Sequence, residues 1–399
     1  MPFNPLDPAV LADPYPHYRR LQADDPIHWG NADDMGLPGR WYVTRLDDVV
    51  AVLKDNRFGR EIDRVRPDLA ATIPPEEREI AALAQGWMIL RDPPVHARLR
   101  GLPQRRFTPR AVGGLREEIE AWAAHLIRAM IQAGPPLDLL SAYALPLTVG
   151  VTARSLGLPL DDLPRLAEWS RTLATLIDLN QSEETRADSR RAVIELLDYL
   201  REIVAERRRQ PAEDLLSDLA RMDDLGEDEL MGTLTHLIFV GNDPVMHLIG
   251  NGVYHLLRRP AHLDQLRRRP EQSEAAVDEL MRFDSPVQMT FRYVLEDVTL
   301  HGKEMRTGDH VAAVLGAANR DPAHHPQPDV LDFARPQGQL MHFGQGIHYC
   351  LGAPLARIEG QIGILSLLEA LPDLALIEDQ PSWQRTAAVR GLTHLPVRF

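Results

Sequence analysis

Residues 343–352 read FGQGIHYCLG and contain Cys350, the single cysteine of the 399-residue chain. The glycines at 344, 346 and 352 allow the backbone to turn closely around a bound group. Apolar spacing predicts a helix from about Ala353 to Leu371, so the thiol would lie at a helix N-terminus, where amides and the dipole favour an anionic sulfur. A thiolate there is a good ligand for a soft metal. The alternative for a lone cysteine is a small apolar side chain in the core.

The composition excludes several classes of protein. One cysteine cannot form an intrachain disulfide or a cysteine-rich zinc site. Hydrophobic residues make up 44% and charged residues 26% of the chain, which is typical of a folded globular protein. The net charge of -14 disfavours binding to nucleic acid. The sequence shows no secretory signal and no run of about 18 apolar residues, which predicts a cytoplasmic protein that does not bind a membrane.

Helical periodicity dominates the chain, and no linker or repeat divides it. We therefore predict one domain over residues 1–399, mainly α with minor β. Besides 353–371, the predicted helices are 14–25, 46–56, a series between 94 and 258 whose longest member is about 227–258, 261–268 and 273–283. The predicted strands are 41–45, 288–296, 299–301 and 395–399. Residues 60–86 and 319–345 lack a clear period and are predicted as long loops.

The stretch 343–352 resembles the heme-binding loop of the cytochrome P450 family, Phe-Gly-x-Gly-x-His-x-Cys-x-Gly, at every defined position. The resemblance covers essentially the whole chain and looks like the soluble bacterial branch. It implies a single-domain cytochrome P450 fold, with heme b between the long distal helix and the cysteine loop with the last helix. Cys350 would be the axial ligand of the iron. Phe343, Gly344 and Gly352 would belong to the loop that binds the heme.

Glu279 and Arg282 lie three residues apart on a predicted helix, and therefore on one face. Taken alone, they would be an ordinary surface ion pair. They match the Glu-x-x-Arg of the family, and Arg335 lies where the family has the third member of that network. The resemblance implies a buried brace that is structural and not catalytic.

Heme has two propionates, which need cations or hydrogen-bond donors if they are buried. His96 and Arg100 are one helical turn apart and match the His-x-x-x-Arg of the family. Arg292 and His348 match two further propionate-binding positions. Each of these side chains taken alone could be a solvated surface group, but together they are expected to bind the propionates.

The long helix departs from the family pattern. The family has an acid followed by a hydroxyl residue there, which assist oxygen binding and proton delivery. Here Gly241 is followed by Asn242, Asp243 and Pro244, so the acid is present and the hydroxyl is absent. A proline inside a helix ordinarily costs about 3 kcal/mol. Pro244 is therefore either a tolerated kink or part of an altered oxygen site, and Gly241, Asp243 and Pro244 are the predicted catalytic positions.

The resemblance implies a monooxygenase that inserts one oxygen atom from O2 into a hydrophobic small molecule, such as a terpenoid, polyketide or fatty acid. The apolar pocket expected for that substrate is assigned by position. Its predicted members are Trp87, Met88, Ile89, Leu237, Val240, Val287, Phe291, Leu392, Thr393 and His394. Arg60, Arg64 and Arg66 in the long loop are either solvated or available to a substrate carboxylate or phosphate.

The resemblance also implies partners. A separate ferredoxin and its reductase would supply electrons to a monomeric enzyme, and Arg98, Arg105, Arg106 and Arg110 could offset the overall acidity where the ferredoxin docks. Three alternatives remain at this stage. Because Pro244 lacks a hydroxyl, the chain could be a peroxide-driven peroxygenase or an oxidase that couples or rearranges radicals. It could also be a heme-binding sensor or carrier without turnover.

Overall fold

Helices dominate the computed structural model, which describes residues 3–31, 39–67, 78–83, 86–175, 183–336 and 338–399. The predicted fold class, mainly α with minor β, is confirmed. The α-helices are α1 Pro8–Ala12, α2 Tyr15–Asp24, α3 Leu46–Lys54, α4 Arg78–Leu83, α5 Val95–Gly101, α6 Pro109–Gly113, α7 Arg116–Ala133, α8 Leu145–Leu156, α9 Leu163–Thr175, α10 Glu183–Arg209, α11 Leu215–Ala220, α12 Glu227–Leu257, α13 Pro260–Arg268, α14 Ser273–Phe283, α15 Leu315–Ala318 and α16 Ala353–Ala370.

The strands form small sheets beside the helices. They are β1 Ile27–Gly30, β2 Arg40–Val43, β3 Phe58–Gly59, β4 Leu137–Asp138, β5 Met289–Val294, β6 Val298–Leu300, β7 Lys303–Met305, β8 His310–Val314, β9 Ala375–Leu376 and β10 Pro396–Arg398. The largest sheet has the order β1-β2-β8-β5-β3, in which β2 and β8 are parallel and the other neighbours antiparallel. The order β4-β10-β9 forms a second sheet, and β6 and β7 form a third.

The long helix α12 is the centre of the helical layer. Every residue from 230 to 256 is buried or half-buried, because the helix is apolar on most sides and is surrounded by other elements. At Gly241 a Cβ atom would lie 2.7 Å from the hydroxyl oxygen of Thr152 in α8, so the glycine lets these two helices approach. No helix within the described ranges, including this one, is long and apolar enough to cross a membrane.

Most predicted elements agree with the structure to within a few residues at their ends, as for α2, α14 and α16. Periodicity does not predict β8, because a short run of buried apolar residues reads equally well as part of a helix. The predicted loop 60–86 contains α4 and a 3-10 turn at Ile62–Arg64. Its residues 68–77 and 84–85 lie outside the described part of the chain.

Glu279, Arg282 and Arg335 form one buried network. The Glu279 carboxylate accepts hydrogen bonds from the Nε of Arg282 at 2.6 Å and of Arg335 at 3.1 Å, and from the Asp332 N–H at 2.9 Å. The other guanidinium nitrogens of Arg282 also donate to three backbone carbonyls, those of Asn319, Pro328 and Val330. The network therefore holds the irregular segment 319–335 against α14.

A second buried ion cluster is centred on Asp284. Its carboxylate lies 2.7 Å from the Nε2 of His255 and 2.8 Å from both the Nε of Arg390 and the hydroxyl of Tyr15. Burial alone would raise the pKa of Asp284, but Arg390, His255 and Tyr15 together hold that pKa well below the usual carboxyl value. The cluster joins α2, α12 and the C-terminal segment.

We expect Asp284→Asn to lower the free energy of unfolding by about 3–5 kcal/mol at pH 7, because the buried Arg390 guanidinium loses its counter-charge. Urea unfolding followed by circular dichroism measures the difference. The control is Asp264→Asn, which removes an exposed pair with Arg268 on α13 and should cost at most about 0.5 kcal/mol.

The same comparison has a defined pH dependence. The pKa of Asp284 is lowered in the folded state, so the carboxylate stabilises the fold fully above the unfolded-state pKa of about 4. That contribution is lost as the pH falls from about 4 toward the lowered folded value. An Asp284→Asn effect as small as the Asp264→Asn effect at pH 7 would contradict the assignment.

Candidate active site

A large cavity lies between α12 and the loop that carries Cys350, and α16 contributes to its wall. Its volume is about 280 Å³, whereas each of the next two cavities has about 20 Å³. A cavity of 20 Å³ holds about one water molecule. Of these three, only the first can therefore receive an organic molecule.

Glycines shape the cysteine loop. Gly344 and Gly346 have φ angles of 71° and 74°, in the region that favours glycine. A Cβ atom on Gly346 would also lie 2.3 Å from the carbonyl oxygen of Leu53. The N–H of Cys350 donates to the carbonyl of Phe343 at 2.9 Å, which closes the loop below the thiol. Phe343, Gly344, Cys350 and Gly352 all line the cavity.

Burial raises the pKa of the Cys350 thiol. The N–H groups of Gly352 and Ala353 and the charges of Arg100 and Arg357 oppose that shift but do not outweigh it. The amides at the helix N-terminus thus favour the thiolate in the predicted direction, and burial outweighs them. A bound metal ion deprotonates a coordinating thiol, so the thiolate requires the cation that it binds.

The four predicted propionate partners, His96, Arg100, Arg292 and His348, line the same cavity. The imidazole rings of His96 and His348 are 4.3 Å apart. Among the described residues, the Nε2 atom of each ring is buried without a hydrogen-bond partner. Burial lowers the pKa of both histidines and lowers that of Arg292 to about 10. The structure brings these four groups together from three parts of the fold, since His96 and Arg100 share α5.

The cavity wall has an excess of positive charge. Arg60 joins Arg100 and Arg292 there. The shortest described hydrogen bonds of these three guanidinium groups go to uncharged oxygens, those of Thr290 at 2.6 Å, Tyr349 at 2.7 Å and Phe291 at 2.8 Å. The one carboxyl group of the described lining is Glu359, and burial raises its pKa well above the usual value, which favours the uncharged acid. Asp92, outside the lining, offsets part of the charge of Arg60 and Arg292. The lining itself keeps an excess of buried positive charge, which is costly, so the cavity is suited to an anionic group.

A heme fits this set of residues. Cys350 offers one axial ligand, the unpartnered histidines and the arginines suit two propionates, and the position of a Cβ on Gly352 is open. The described residues contain no cluster of three or more His, Cys, Asp or Glu side chains that would hold a bare ion. A metal that brings four ligands in a macrocycle has no need of such a cluster.

One face of α12 forms the opposite wall. Leu237, Gly241, Pro244 and Leu248 line the cavity at the three- and four-residue spacing of one helical face, and Val240 lies beside them. The helix continues through Pro244 without a break. Pro244 therefore presents an apolar ring to the cavity at the position where the family has a hydroxyl.

Asp243 does not line the cavity. It lies on the flank of α12, and its Oδ1 is 3.3 Å from the Nε2 of His247, one turn further along the helix. The side chain of the neighbouring Asn242 is directed to other helices. Its Oδ1 accepts a hydrogen bond from the Thr152 hydroxyl at 2.7 Å, and its Nδ2 donates to the Ser170 hydroxyl at 3.0 Å. Of the three predicted catalytic positions, Gly241 and Pro244 line the cavity and Asp243 lies behind them.

The structure divides the predicted substrate pocket into two groups. The cavity lining includes Met88, Ile89, Leu237, Val240 and Val287. It does not include Trp87, Phe291, Leu392, Thr393 or His394, all of which are described.

Trp87 supports the wall from behind. Its ring stacks on Phe239 at 5.4 Å and lies 5.6 Å from the ring of His236, and its Nε1–H donates to Thr235 at 3.2 Å. His236 itself lines the cavity. The indole therefore positions a lining residue instead of contacting the cavity.

Strand geometry removes Phe291 from the wall. Successive side chains of a strand point to opposite faces, and because Thr290 and Arg292 of β5 line the cavity, Phe291 faces the other side, where it packs against His310. Leu392 is 1% exposed within the apolar core. Thr393 is exposed, and its hydroxyl donates to the carbonyl of Ser382 at 3.2 Å. The same hydroxyl lies 2.9 Å from the Nδ1 of His394.

Sequence analysis missed two lining residues with unusual chemistry, His236 and Glu359. Both are fully buried, at 4% and 1% exposure, and both line the cavity. The available signal was helical phase, because His236 lies one turn before the lining residue Val240 on α12 and Glu359 lies one turn beyond the lining residue Leu355 on α16. Each is a polar residue inside an otherwise apolar helical stretch.

Comparisons with known proteins agree with this geometry. The family model "Cytochrome P450" matches residues 172–380. The biotin biosynthesis cytochrome P450 of Bacillus subtilis is 34% identical and covers 98% of this chain and 97% of its own length. The mycinamicin IV hydroxylase/epoxidase of Micromonospora griseorubida is 36% identical, with coverage of 99% and 97%.

A solved structure extends the likeness to three dimensions. The myxobacterial cytochrome P450 CYP267B1 in complex with myristic acid has a TM-score of 0.88 and 34% identity, and the match covers 98% of both chains. Similarity of this degree along nearly the whole length accompanies the cysteine loop and the buried cations described above. The chain belongs to the cytochrome P450 family.

Proposed function

We propose that this cytochrome P450 hydroxylates or epoxidises a hydrophobic small molecule that carries a carboxylate at one end, with electrons from a separate ferredoxin. The observation that carries the proposal is the single cavity in which Cys350, an apolar helix face and an excess of buried cations meet. Members of the family bind heme b, and the enzyme is an oxygenase that uses O2.

Heme b, when bound, supplies the activation of O2 by a thiolate-ligated iron. The residues of this chain would hold it from two sides. Cys350 would bind the iron, and His96, Arg100, Arg292 and His348 would bind the propionates. The wall formed by Leu237, Pro244 and Leu248 would exclude water and orient the substrate.

A polar corner of the cavity supports the substrate proposal. His236 is buried, both of its ring nitrogens lack hydrogen-bond partners among the described residues, and burial with the charge of Arg60 lowers its pKa to about 3. A neutral imidazole offers one donor and one acceptor. Arg60 lies on the same wall, and its Nε is buried without a described partner. A cation and a neutral donor in an apolar site favour a carboxylate or carbonyl.

The arginines named in the long loop differ in what they contact. Arg60 lines the cavity, whereas Arg64 is half-exposed and pairs with Asp92 at 3.4 Å. Arg66 is outside the cavity lining. The myristic acid bound by the structural neighbour is a molecule of the chemical class that the polar corner would receive. We therefore assign the anion-binding role to Arg60 alone.

The electron donor is proposed to dock near the exposed arginines that follow α5. Arg98 pairs with Glu229, and Arg106 pairs with Asp218 at 2.7 Å. Arg105 and Arg110 are exposed and have no ion pair within the described residues. Phe107, between them, lines the cavity. Of the four arginines predicted to contact the ferredoxin, we therefore propose only Arg105 and Arg110, which lie close to the proposed heme.

The oxidant has one alternative that a specific observation favours. Pro244 presents neither a hydroxyl nor an N–H to the cavity, so the usual residue for proton delivery is missing. Hydrogen peroxide already carries the electrons and protons that O2 would require. A peroxide-driven peroxygenase is therefore the second candidate function.

We expect the reduced protein to show the red-shifted Soret band of a thiolate-ligated heme under carbon monoxide, and Cys350→Ser to lose that band. The reason is that serine cannot provide the thiolate. Tyr349→Phe, at the exposed neighbouring position, is the matched control and should keep the band. A red-shifted band in Cys350→Ser would exclude this cysteine as the ligand.

We expect myristic acid to bind more tightly than methyl myristate, as measured by titration of the heme spin-state spectrum. Arg60→Gln should weaken binding of the acid about tenfold or more, since a hydrogen bond to a charged group contributes about 1.5–3 kcal/mol, and should leave the ester unchanged. Arg64→Gln is the control and should preserve the preference. Equal affinities of the wild-type protein for acid and ester would refute the carboxylate assignment.

We expect turnover with a surrogate ferredoxin and reductase, with part of the electron flow released as hydrogen peroxide. Pro244→Thr should raise the product formed per NADPH, because it restores a hydroxyl to the cavity wall. Product and peroxide are quantified together, and wild-type turnover with added peroxide is run in parallel. If peroxide alone supports full turnover and the ferredoxin system supports none, the peroxygenase replaces the monooxygenase.

A further inference from the structure

Polar residues recur every four positions along one flank of α12. Their spacing places them in a single row that begins next to the cavity wall and ends near the C-terminus of the helix. In order they are Asp243, His247, Asn251 and His255 of the helix, followed by Arg259 just beyond its end. The first three are buried and the last two half-buried, although α12 is otherwise mainly apolar. A row of buried polar groups in such a helix needs a physical reason.

The first pair of the row lies within ion-pair distance, although the Nε2 of His247 makes no hydrogen bond among the described residues. The Oδ1 of Asp243 lies 3.3 Å from the Nε2 of His247, whose side chain has 0% exposure. The facing segment is adapted to this ring. At Gly391 a Cβ atom would lie 2.0 Å from the Nδ1 of His247, so any side chain there would displace the imidazole.

The next residue of the row completes the surroundings of His247. The Nδ2 of Asn251 donates to the carbonyl of Arg390 at 3.0 Å, beside Gly391. Its Oδ1 is buried without a described hydrogen-bond partner, and so is the Nδ1 of His247 one turn away. These two atoms are a complementary acceptor and donor, and a water molecule or a small side-chain rotation would join them.

The outer end of the row reaches the buried ion cluster around Asp284. His255 bonds the carboxylate of Asp284 at 2.7 Å through Nε2, and its Nδ1 lies 3.2 Å from the guanidinium of Arg259. Asp284 in turn binds Arg390, whose carbonyl holds Asn251. The row therefore connects the flank of the cavity wall with the half-buried end of α12.

We propose that His247 holds a proton for Asp243, and that this pair supplies protons to the oxygen chemistry in place of the absent hydroxyl at position 244. His247 is a positioning residue, since it acts through the Asp243 carboxyl. Asn251 and Gly391 fix the ring with its Nε2 toward Asp243. The inference rests on the proposed function of the cavity.

The proton balance is as follows. One turnover consumes O2, the substrate C–H bond, two electrons from the ferredoxin and two protons, and yields the hydroxylated product and water. Each proton leaves the Asp243 carboxyl for a water molecule that leads into the cavity, because Asp243 itself does not line it. The Nε2–H of His247 then reprotonates Asp243, Nδ1 keeps its hydrogen toward the Oδ1 of Asn251, and Nε2 regains a proton from solvent before the next transfer. The relay moves only protons, so no atom of Asp243, His247 or Asn251 changes its oxidation state.

The first test compares electron coupling in matched variants with a surrogate ferredoxin system. His247→Gln keeps a polar side chain but cannot carry a proton, and should lower product formed per NADPH about tenfold, a modest part of the 10²–10⁴-fold that a positioned proton donor typically contributes. Gly391→Ala should act in the same direction, because it displaces the ring. His262→Gln on α13 is the control and should couple like the wild type.

The second test does not depend on turnover. Histidine side-chain ¹⁵N NMR of the holoenzyme reports the protonation and tautomer of His247, assigned by its loss in His247→Gln. Asp243→Asn should change the ring nitrogen shifts of His247 and leave those of His262 unchanged. Unchanged His247 shifts would refute the pair, as would wild-type coupling in His247→Gln.

A double variant separates this inference from the proposed function. In Pro244→Thr the restored hydroxyl offers a second proton path, so adding His247→Gln should cost much less coupling than it does alone. If His247→Gln lowers the coupling equally in the wild-type and the Pro244→Thr protein, the proposal that His247 and Asp243 replace the missing hydroxyl is wrong. The carbon monoxide band and the substrate-induced spectral shift are recorded for each variant. If the wild-type protein lacks this band and this shift, the proposed function is wrong. If both are present and His247→Gln couples like the wild type, only the relay is rejected.

Discussion

The need to neutralise buried positive charge governs this structure. Arg60, Arg100 and Arg292 converge on an apolar cavity whose one described carboxyl, Glu359, favours its uncharged form. Such charges are tolerable only if an anion arrives. The propionates of heme b would neutralise the charges of Arg100 and Arg292, and the thiolate of Cys350 would neutralise part of the charge of the iron. Cofactor binding would therefore also stabilise the active site, because the cofactor would neutralise the charges of the residues that hold it.

The scaffold keeps these charges in place through networks that are already complete. Glu279, Arg282 and Arg335 satisfy one another and fix the segment that leads to the cysteine loop. Asp284 does the same for α12 and the C-terminal segment. Breaking a closed buried network costs more than losing a surface pair. The contrast between satisfied ion clusters in the scaffold and unsatisfied cations in the cavity separates structural residues from ligand-binding ones.

The sequence predicted the parts of the site that depend on local spacing. The cysteine loop, Glu279 with Arg282, and His96 with Arg100 each lie within one short segment, so their geometry follows from helix and turn periodicity. The pocket residues predicted by position line the cavity where helical phase sets the direction of the side chain, as for Leu237 and Val240. They failed where strand alternation or tertiary packing decided the direction, as for Phe291 and Leu392. The contact between His247 and Gly391 joins segments 144 positions apart, which no local pattern reports.

The two sides of α12 explain how a proline is compatible with an oxygen site. The face with Gly241 and Pro244 forms an apolar wall, while the flank with Asp243 and His247 holds charge and hydrogen bonds. Proline removes the N–H that would bond the carbonyl of Val240, and this loss falls on the cavity side, where Val240 is only half-buried. The polar flank is untouched by it. A hydroxyl at position 244 would combine shape and proton delivery in one residue, whereas the proposed relay assigns shape to Pro244 and proton delivery to Asp243 and His247.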